Sequence, residues 1–515
     1  MSTIPTLPVP ALAPQLAAPI SYPYACTDLI ARPLPASFAV PPDANSTFVD
    51  AAFGRIVHRV TNGASGNTSN RSFRVPSSEN ACAWRRDVKG FVCLTTGGTV
   101  KYFAFDPTTA EATYVRDLPF ATEPTCSRLR PSVIYGTTNG GSVGWKVLAF
   151  DVDSGVQTTL LDLAQIDPAY AVSGLYFGGS TQSSAANPER LAIFYGGSGQ
   201  DKHFRVCVFD PTDLSTRLVL DTQAKTINGI AAPLDVACHV HSVGLDQSGR
   251  YVLLYPTGGD ITAGAAQSYV WDVTTGTIVG LRKDGAGHAC DGYGVHINKD
   301  GGIRSPYDAD SWVSRALVSV DAPSAVPTAL LSPALVYASD HPQYNNARAD
   351  AVTPFATITY RFNEDVPNNL STDPNQRINT VPWRAWDNEV LTVHPVTGVV
   401  SRWGQHGSDI YADDGSSVSA AFEYQPMPQI SPDGRWLLFS SNRGKTLGLD
   451  AGSKSAAIAH RTDLFLVDLM AMPAVTILDP TPLVAQIDAM QRSLSGLQTS
   501  LATVRAALVP AGSES

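Results

Sequence analysis

Short apolar runs, each closed by small polar residues, recur along the whole chain. The clearest is "QISPDGRWLLFSSNRG", residues 429 to 444, where the turn Ser431-Pro432-Asp433-Gly434-Arg435 leads straight into the apolar run Trp436 to Phe439. A second copy, "LDQSGRYVLLYPTGG" at 245–259, places Gly249-Arg250 before Tyr251-Val252-Leu253-Leu254 in the same way. Weaker copies are "GFVCLTTGG" (90–98), "PSVIYGTTNGG" (131–141) and "RLAIFYGGSG" (190–199). Apolar runs of this length between turn residues predict strands.

Most of these runs lie upstream of a second recurring element: "KYFAFDPTTAEATYV", "KVLAFDVDSGVQTTLL", "RVCVFDPTDLSTRLVL", "SYVWDVTTGTIVGL", "EVLTVHPVTGVVSRW" and "DLFLVDLMAMPAVTIL". Asp106, Asp151, Asp210, Asp272 and Asp468 follow the apolar run in five of them, placed to hydrogen-bond the turn backbone, and His394 takes the sixth place. The copies recur every 40 to 60 residues or so, with one long gap. That spacing predicts an all-β chain, a β-propeller of about seven four-stranded blades over residues 47–480, with 296–332 counted as a degenerate blade. A pair of β-sandwich domains is the competing architecture. Residues 338–380 show little periodicity and read as an inserted surface loop.

The two ends follow other rules. Residues 1–46 carry prolines every few positions, which predicts an extended arm and no signal peptide. From 483 the period changes: Leu483, Ile487, Met490, Leu494, Leu497, Leu501, Val504 and Leu508 alternate steps of four and three. This predicts a coiled-coil helix over 481–510, started by Pro482 and stopped by Pro510. Leucine at Leu494, Leu501 and Leu508 leans towards a homotrimer or tetramer through 483–508. An amphipathic helix folded back on the same chain is the alternative.

Composition narrows the partners. Thirty-six basic against 46 acidic residues give a net charge of -10, and no Lys/Arg cluster tracks a phosphate backbone, so nucleic acid is not expected. No apolar window is long enough to cross a membrane, and a virion or cytoplasmic location is expected. The seven cysteines are scattered without a C-x-x-C pair and read mostly as free, buried core residues.

"SPDGRWLLFSSNRG" followed by "DLFLVDL" looks like the blade motif of TolB-type propellers. The wider chain resembles the seven-bladed bacterial propellers related to oligogalacturonate lyase. The matching pieces, spread over most of 47–470, are "FVDAAFGRIVHRVTNG", "GHACDGYGVHINKDGG", "WDNEVLTVHPVTGVVSRWGQHG" and "FEYQPMPQISPDGRWLLFSSNRG". In the lyases, a Gln-x-x-His-x-His-Pro stretch before the last such turn supplies metal ligands, and a further histidine removes the proton α to a uronate carboxylate. Here the corresponding positions are Phe422, Gln425 and Met427. Phe and Met side chains do not hold a hard divalent cation, so no metal and no cofactor are expected.

Other chemistry is sparse, with no P-loop, dinucleotide fingerprint or zinc-protease motif. His239 and His241 share a strand face where a propeller's innermost strand lines the channel. His288 and His296 flank a glycine-rich stretch with Asp291 and Tyr293, a candidate ligand-binding mouth loop. Gln405, His406, Tyr424 and Gln425 are candidate ligand-binding residues near the last repeat. His406 stands with Asp409, Asp413 and Asp414, oxygen donors that lack the spacing of an EF-hand loop.

Two functions follow. The first is a non-enzymatic binding or structural protein, oligomerised by its C-terminal helix and contacting a cell-surface glycan or other virion proteins, in a layout resembling a phage fibre, spike or decoration protein. The second is a lyase or hydrolase acting on an acidic oligosaccharide in the channel. In that case His239 or His241 would be the base and Arg384 or Arg443 would bind the carboxylate.

Overall fold

The computed structural model describes residues 4–10, 21–35, 38–76, 81–121, 123–138, 144–167, 176–178, 181–197, 202–257, 268–281, 289–291, 296–298, 314–315, 328–329, 331, 335, 338–343, 354–360, 383–394, 397–410, 412–414, 423–453, 455–474, 491–492 and 494–501. The chain divides into two compact units, 1–472 and 473–515.

The larger unit is a series of antiparallel meanders. It starts with a pair, β1 (Ser46–Val49) and β2 (Ile56–Arg59). The first full sheet is β3 (Phe73–Arg74), β4 (Gly90–Thr95), β5 (Val100–Asp106) and β6 (Glu111–Leu118). The second is β7 (Thr125–Cys126), β8 (Val133–Thr137), β9 (Lys146–Asp151) and β10 (Gln157–Asp162), followed by the short helix α1 (Leu163–Ile166). In the third, β11 (Tyr176–Phe177) and β12 (Gln182–Ser183) pair with β13 (Leu191–Gly196), followed by β14 (His203–Asp210) and β15 (Asp213–Asp221). A hairpin of β16 (Thr226–Ile227) and β17 (Ile230–Ala231) extends its outer edge.

The fourth meander is β18 (Val240–Leu245), β19 (Tyr251–Pro256), β20 (Ser268–Asp272) and β21 (Thr277–Leu281), joined to the third in one continuous sheet through the single pair His203 and Val240 of β14 and β18. Two short hairpins follow, β22 (Ala289–Asp291) with β23 (His296–Asn298) and β24 (Ser314–Arg315) with β25 (Thr328–Ala329). The penultimate sheet is β26 (Ala338–Gln343), β27 (Phe355–Tyr360), β28 (Glu389–Val393) and β29 (Val400–Gln405). Its first two strands fall inside 338–380, so this stretch is not simply an inserted loop. The run "FATITY" is short and buried through Ala356 and Ile358, and the polar residues around it hide that signal.

The last sheet, β30 (Gln429–Ile430), β31 (Trp436–Ser441) and β32 (Asp463–Asp468), is completed from the other end of the chain. β2 pairs with β32, Val57 facing Val467, and β1 pairs with β2, so the chain closes on itself. All six residues of β4, β19 and β31 are buried, as strands packed between neighbouring sheets must be.

The repeated turns explain this regularity. Gly434 and Gly249 adopt φ values of 75° and 67°, where a side chain would be strained. The arginine after each glycine then reaches the aspartate after the third strand. Arg435 donates to Asp468 from Nε and Nη2 at 3.0 and 2.7 Å, and Arg250 donates to Asp272 at the same two distances. Asp106, Asp151, Asp210, Asp272 and Asp468 each accept a backbone N–H two residues on, at 2.7–3.0 Å. His394 does the same work with its ring, accepting from Thr397 N at 3.2 Å.

The described part of the N-terminal arm lies along the sheets. Leu7 is buried in the core of the third and fourth sheets and donates its N–H to Val273 O, while Tyr22 packs edge-on to Trp403 at 5.0 Å. Cys82, Cys93, Cys126, Cys207 and Cys238 are buried thiols outside any disulfide, and Cys26, likewise unbridged, is half-buried. In the smaller unit, 491–492 and 494–501 are helical, with Leu494, Leu497 and Leu501 exposed by 57%, 69% and 73%. Leu483, Ile487, Met490, Val504 and Leu508 lie outside the described residues.

Candidate functional site

Hydrogen bonds link the innermost strands one to the next. Gln429 in β30 receives Ala83 N and Trp84 Nε1 and donates to Ala81 O. Cys126 N in β7 then donates to Cys82 O, Ser183 Oγ in β12 to Cys126 O, and Ala185 N to Gln247 O. At this inner edge Arg74, the last residue of β3, lies 3.4 Å from Glu123 and 3.3 Å from Glu423. These carboxylates come from the segments that enter β7 and β30. Glu123 is buried and Glu423 is 38% exposed, so one anchors the arginine and the other meets solvent. The two carboxylates fix the guanidinium in place, and the Glu423 side leaves part of this charged group open to solvent.

The loops of the closing sheet hold a second polar group. Asp413 Oδ1 lies 3.0 Å from Lys445 Nζ and 2.9 Å from His460 Nδ1, while Oδ2 receives the Tyr424 hydroxyl and the N–H groups of Ala459 and His460. Burial alone would raise the Asp413 carboxyl, but Tyr424, His460 and Lys445 outweigh it and hold it below its usual range. The same bonding leaves it committed within the protein, so the acidic residues beside His406 do not form a free set of oxygen donors. Asp413 and His460 stand far apart in sequence, and no local pattern marked them as neighbours.

The other candidates are placed as follows. His406 is fully buried. Ser408 N donates to its Nδ1 at 2.9 Å, so the ring proton sits on Nε2, 2.9 Å from Thr359 O. Burial lowers its pKa to about 4 and keeps the ring neutral. Gln405 is also buried; its N–H reaches Asp50 Oδ2 at 3.0 Å and its carbonyl accepts from Arg443 Nη1 at 3.1 Å. Tyr424 and Gln425 are buried and hold Ser408 and Ser440 through their carbonyls. These four shape the loop from inside instead of facing a ligand.

Arg443 is the clearest departure from expectation. Its guanidinium is enclosed by the rings of Phe38, Phe48, Phe439 and Phe465 at 4.6–5.9 Å, with Nε and Nη2 left without hydrogen bonds. Burial lowers its pKa to about 10, with Asp50 opposing. A substrate carboxylate has no access to it, because the aromatic side chains occupy the approach. His239 and His241 are half-buried on either side of Val240, and Arg384, also half-buried, precedes β28. Asp291 and His296 are cross-strand partners in the β22–β23 hairpin, and His288 and Tyr293 lie outside the described residues.

Met427, at a position where the lyase pattern has a histidine ligand, packs in the core of the first sheet. Phe422 lies outside the described residues. Among the described residues no group of three or more His, Cys, Asp or Glu side chains is gathered to hold a metal ion, and no helix is long and apolar enough to cross a membrane.

No family model matches the chain, and no curated protein matches it. Solved structures do. An oligogalacturonate lyase in complex with manganese superposes with a TM-score of 0.50 at 13% identity, over 82% of this chain and 95% of that one. The fold is a β-propeller. The oligogalacturonate lyase from Vibrio parahaemolyticus (TM-score 0.49, 10% identity, 82% and 96% covered) and TolB from Acinetobacter baumannii (0.33, 12%, 74% and 80%) are also similar propellers. At these identities the likeness speaks for the propeller alone, and the site must be argued from its own residues.

Proposed function

We propose that this chain is a seven-bladed propeller with a binding or structural role, presented in several copies by its C-terminal helix. The two hairpins over 289–329 count as one blade in that total. The observation that carries the reading is the leucine stripe: Leu494, Leu497 and Leu501 stand 57–73% exposed on one helix at spacings of three and four. An apolar stripe of this kind calls for a partner, and three copies burying it against each other supply one. The ligand of the propeller is a polar, hydroxyl-rich molecule such as a surface glycan, met at the Arg74, Glu123 and Glu423 rim. Repetition of a weak rim site raises its avidity. A virion setting rests on layout alone: a proline-rich arm, a propeller and a terminal helix.

Light scattering on the full chain and on the triple variant Leu494→Ser/Leu497→Ser/Leu501→Ser tests this. A trimer or tetramer that falls to a monomer supports it; a monomer in both sinks it.

Catalysis on an acidic oligosaccharide is the second reading, supported by the likeness to a lyase and by the ionic rim. Met427 in the core and Arg443 in its aromatic cage count against it. Ultraviolet absorbance of unsaturated products from oligogalacturonate, with and without manganese, decides it: product formation that is lost in Arg74→Ala would establish the lyase.

A further inference from the structure

A polar cleft of about 510 Å³ opens between the end of the second sheet and the outer part of the third. Its floor is one cross-strand row: Tyr195 pairs with Arg205, Arg205 with Asp221, and Asp221 with Thr226. Ile166 and Asp167, just after β10, form the facing wall, and the β16–β17 hairpin forms the rim. That hairpin turns on Asn228-Gly229, with φ of 48° and 81°, and a side chain at Gly229 would meet nothing within 4 Å. Elsewhere a blade packs apolar side chains against its neighbour, and this face does so too through Val219, Cys207 and Phe209. At its outer end the packing gives way to charge.

The charges are not equivalent. Arg205 is neutralised by Asp167 at 2.6 Å and Asp221 at 3.0 Å. Arg217, on the same wall, makes one long hydrogen bond to Leu214 O at 3.4 Å and no ion pair among the described residues. A planar cation with donors to spare stands four residues before Asp221 on β15, with Asp167 on the facing wall. Asp221 already takes Gln223 N, Ala224 N and Arg205, and Asp167 takes Arg205; a carboxylate accepts more bonds than these, so the cleft complements a molecule with a carboxylate at one end and hydroxyl donors at the other. The volume suits a ligand of five to seven heavy-atom centres in a row or one sugar ring, at the lower end of small-molecule sites of roughly 300–1,000 Å³.

We infer that this cleft is a second binding site, independent of the channel rim, for a small polyhydroxy carboxylate: the carboxylate on Arg217, the hydroxyls on Asp167, Asp221 and Thr226.

Calorimetric titration of the full chain with gluconate and with sorbitol, the same carbon chain lacking the carboxylate, tests it. Gluconate is expected to bind at least tenfold more tightly than sorbitol. Arg217→Met is expected to weaken gluconate tenfold or more, and Ser215→Trp, which fills the exposed side of the cleft, to remove it. Both variants should keep the parent melting temperature, because neither residue is in the core. Arg74→Ala should leave gluconate binding unchanged, which separates this site from the rim. No gluconate binding, equal binding of sorbitol, or unchanged affinity in folded Arg217→Met and Ser215→Trp would overturn the assignment.

Discussion

Two junctions between neighbouring blades solve the same packing problem in opposite ways. Where the penultimate and closing blades meet, Trp403, Ile430, Phe439 and Phe465 form a continuous core, and the arm adds Tyr22, Ala25 and Val40 to it. Even the charged groups are enclosed there: Arg402 and Glu389 pair at 2.6 Å with no exposed side-chain surface, and Asp28 of the arm reaches Arg402 at 2.6 Å. Where the second and third blades meet, the apolar part stops at Tyr195 and Val219, and Arg205, Arg217 and Asp221 leave an open cleft. The core at the first junction backs the closing blade, within which β2 pairs with β32 and joins the two ends of the chain. The second has the ring already closed around it and is free to remain open.

The largest expected effect breaks the closed junction at its seam. Val57→Asp places a charge at a position that is 1% exposed and faces Val467, and should cost about 4 kcal/mol or more. Urea denaturation reads it directly, and a loss under about 1 kcal/mol would mean that the seam does not carry the ring.

Next comes Arg402→Met. Burial pushes the Glu389 carboxyl up to about 7 even with Arg402 beside it, and removing the arginine strands a buried acid at a cost of about 3–5 kcal/mol. The folded pKa lies above the unfolded value, so this group's contribution is intact below about 4.5 and is lost as pH rises through about 7. The variant should therefore be least penalised in acid. Denaturation at pH 5 and pH 8 compares the two; a penalty independent of pH would assign the cost to packing alone.

His406 gives the opposite slope. Its ring is neutral when buried, with a folded pKa near 4 against 6.5 unfolded, so its contribution is intact above about 6.5 and is lost as pH falls towards 4. At about 1.4 kcal/mol per unit, roughly 3 kcal/mol of acid sensitivity belongs to this residue. His406→Gln should flatten stability between pH 6.5 and 4, and an unchanged acid slope would show that the ring is solvated in solution.

The smallest effect belongs to the open junction. Arg217→Met should alter unfolding free energy by no more than about 0.5 kcal/mol, as for a half-exposed residue outside the core. A loss as large as that of Arg402→Met would erase the contrast between the two junctions.

Much of this was legible from local chemistry. The Asp after five of the third strands and the Gly-Arg before two of the second strands act within a few residues or one hairpin of themselves, so sequence alone placed Asp468 and Asp272 in their turns. Asn228-Gly229 also announces a tight hairpin, though it carried no apolar alternation long enough to stand out. Candidate site residues were harder. His406, Tyr424 and Arg443 looked like surface chemistry because they lie in polar stretches, yet the closing blade folds those stretches inward against Phe38, Asp50 and Thr359. His460 looked unremarkable because its partner, Asp413, stands 47 residues away.

The sequence by itself determined most of the strands, their turns and their repetition, though not β26 and β27, because each depends on short apolar runs and turn residues near one another along the chain. It also determined the leucine stripe of 494–501, by the helical period. Only the tertiary structure decided which residues became neighbours across the ring: Val57 with Val467, Arg402 with Asp28, Arg74 with Glu423, Arg205 with Asp167. These pairings join segments separated by tens to hundreds of residues, and closure of the ring, not any local preference, selects them.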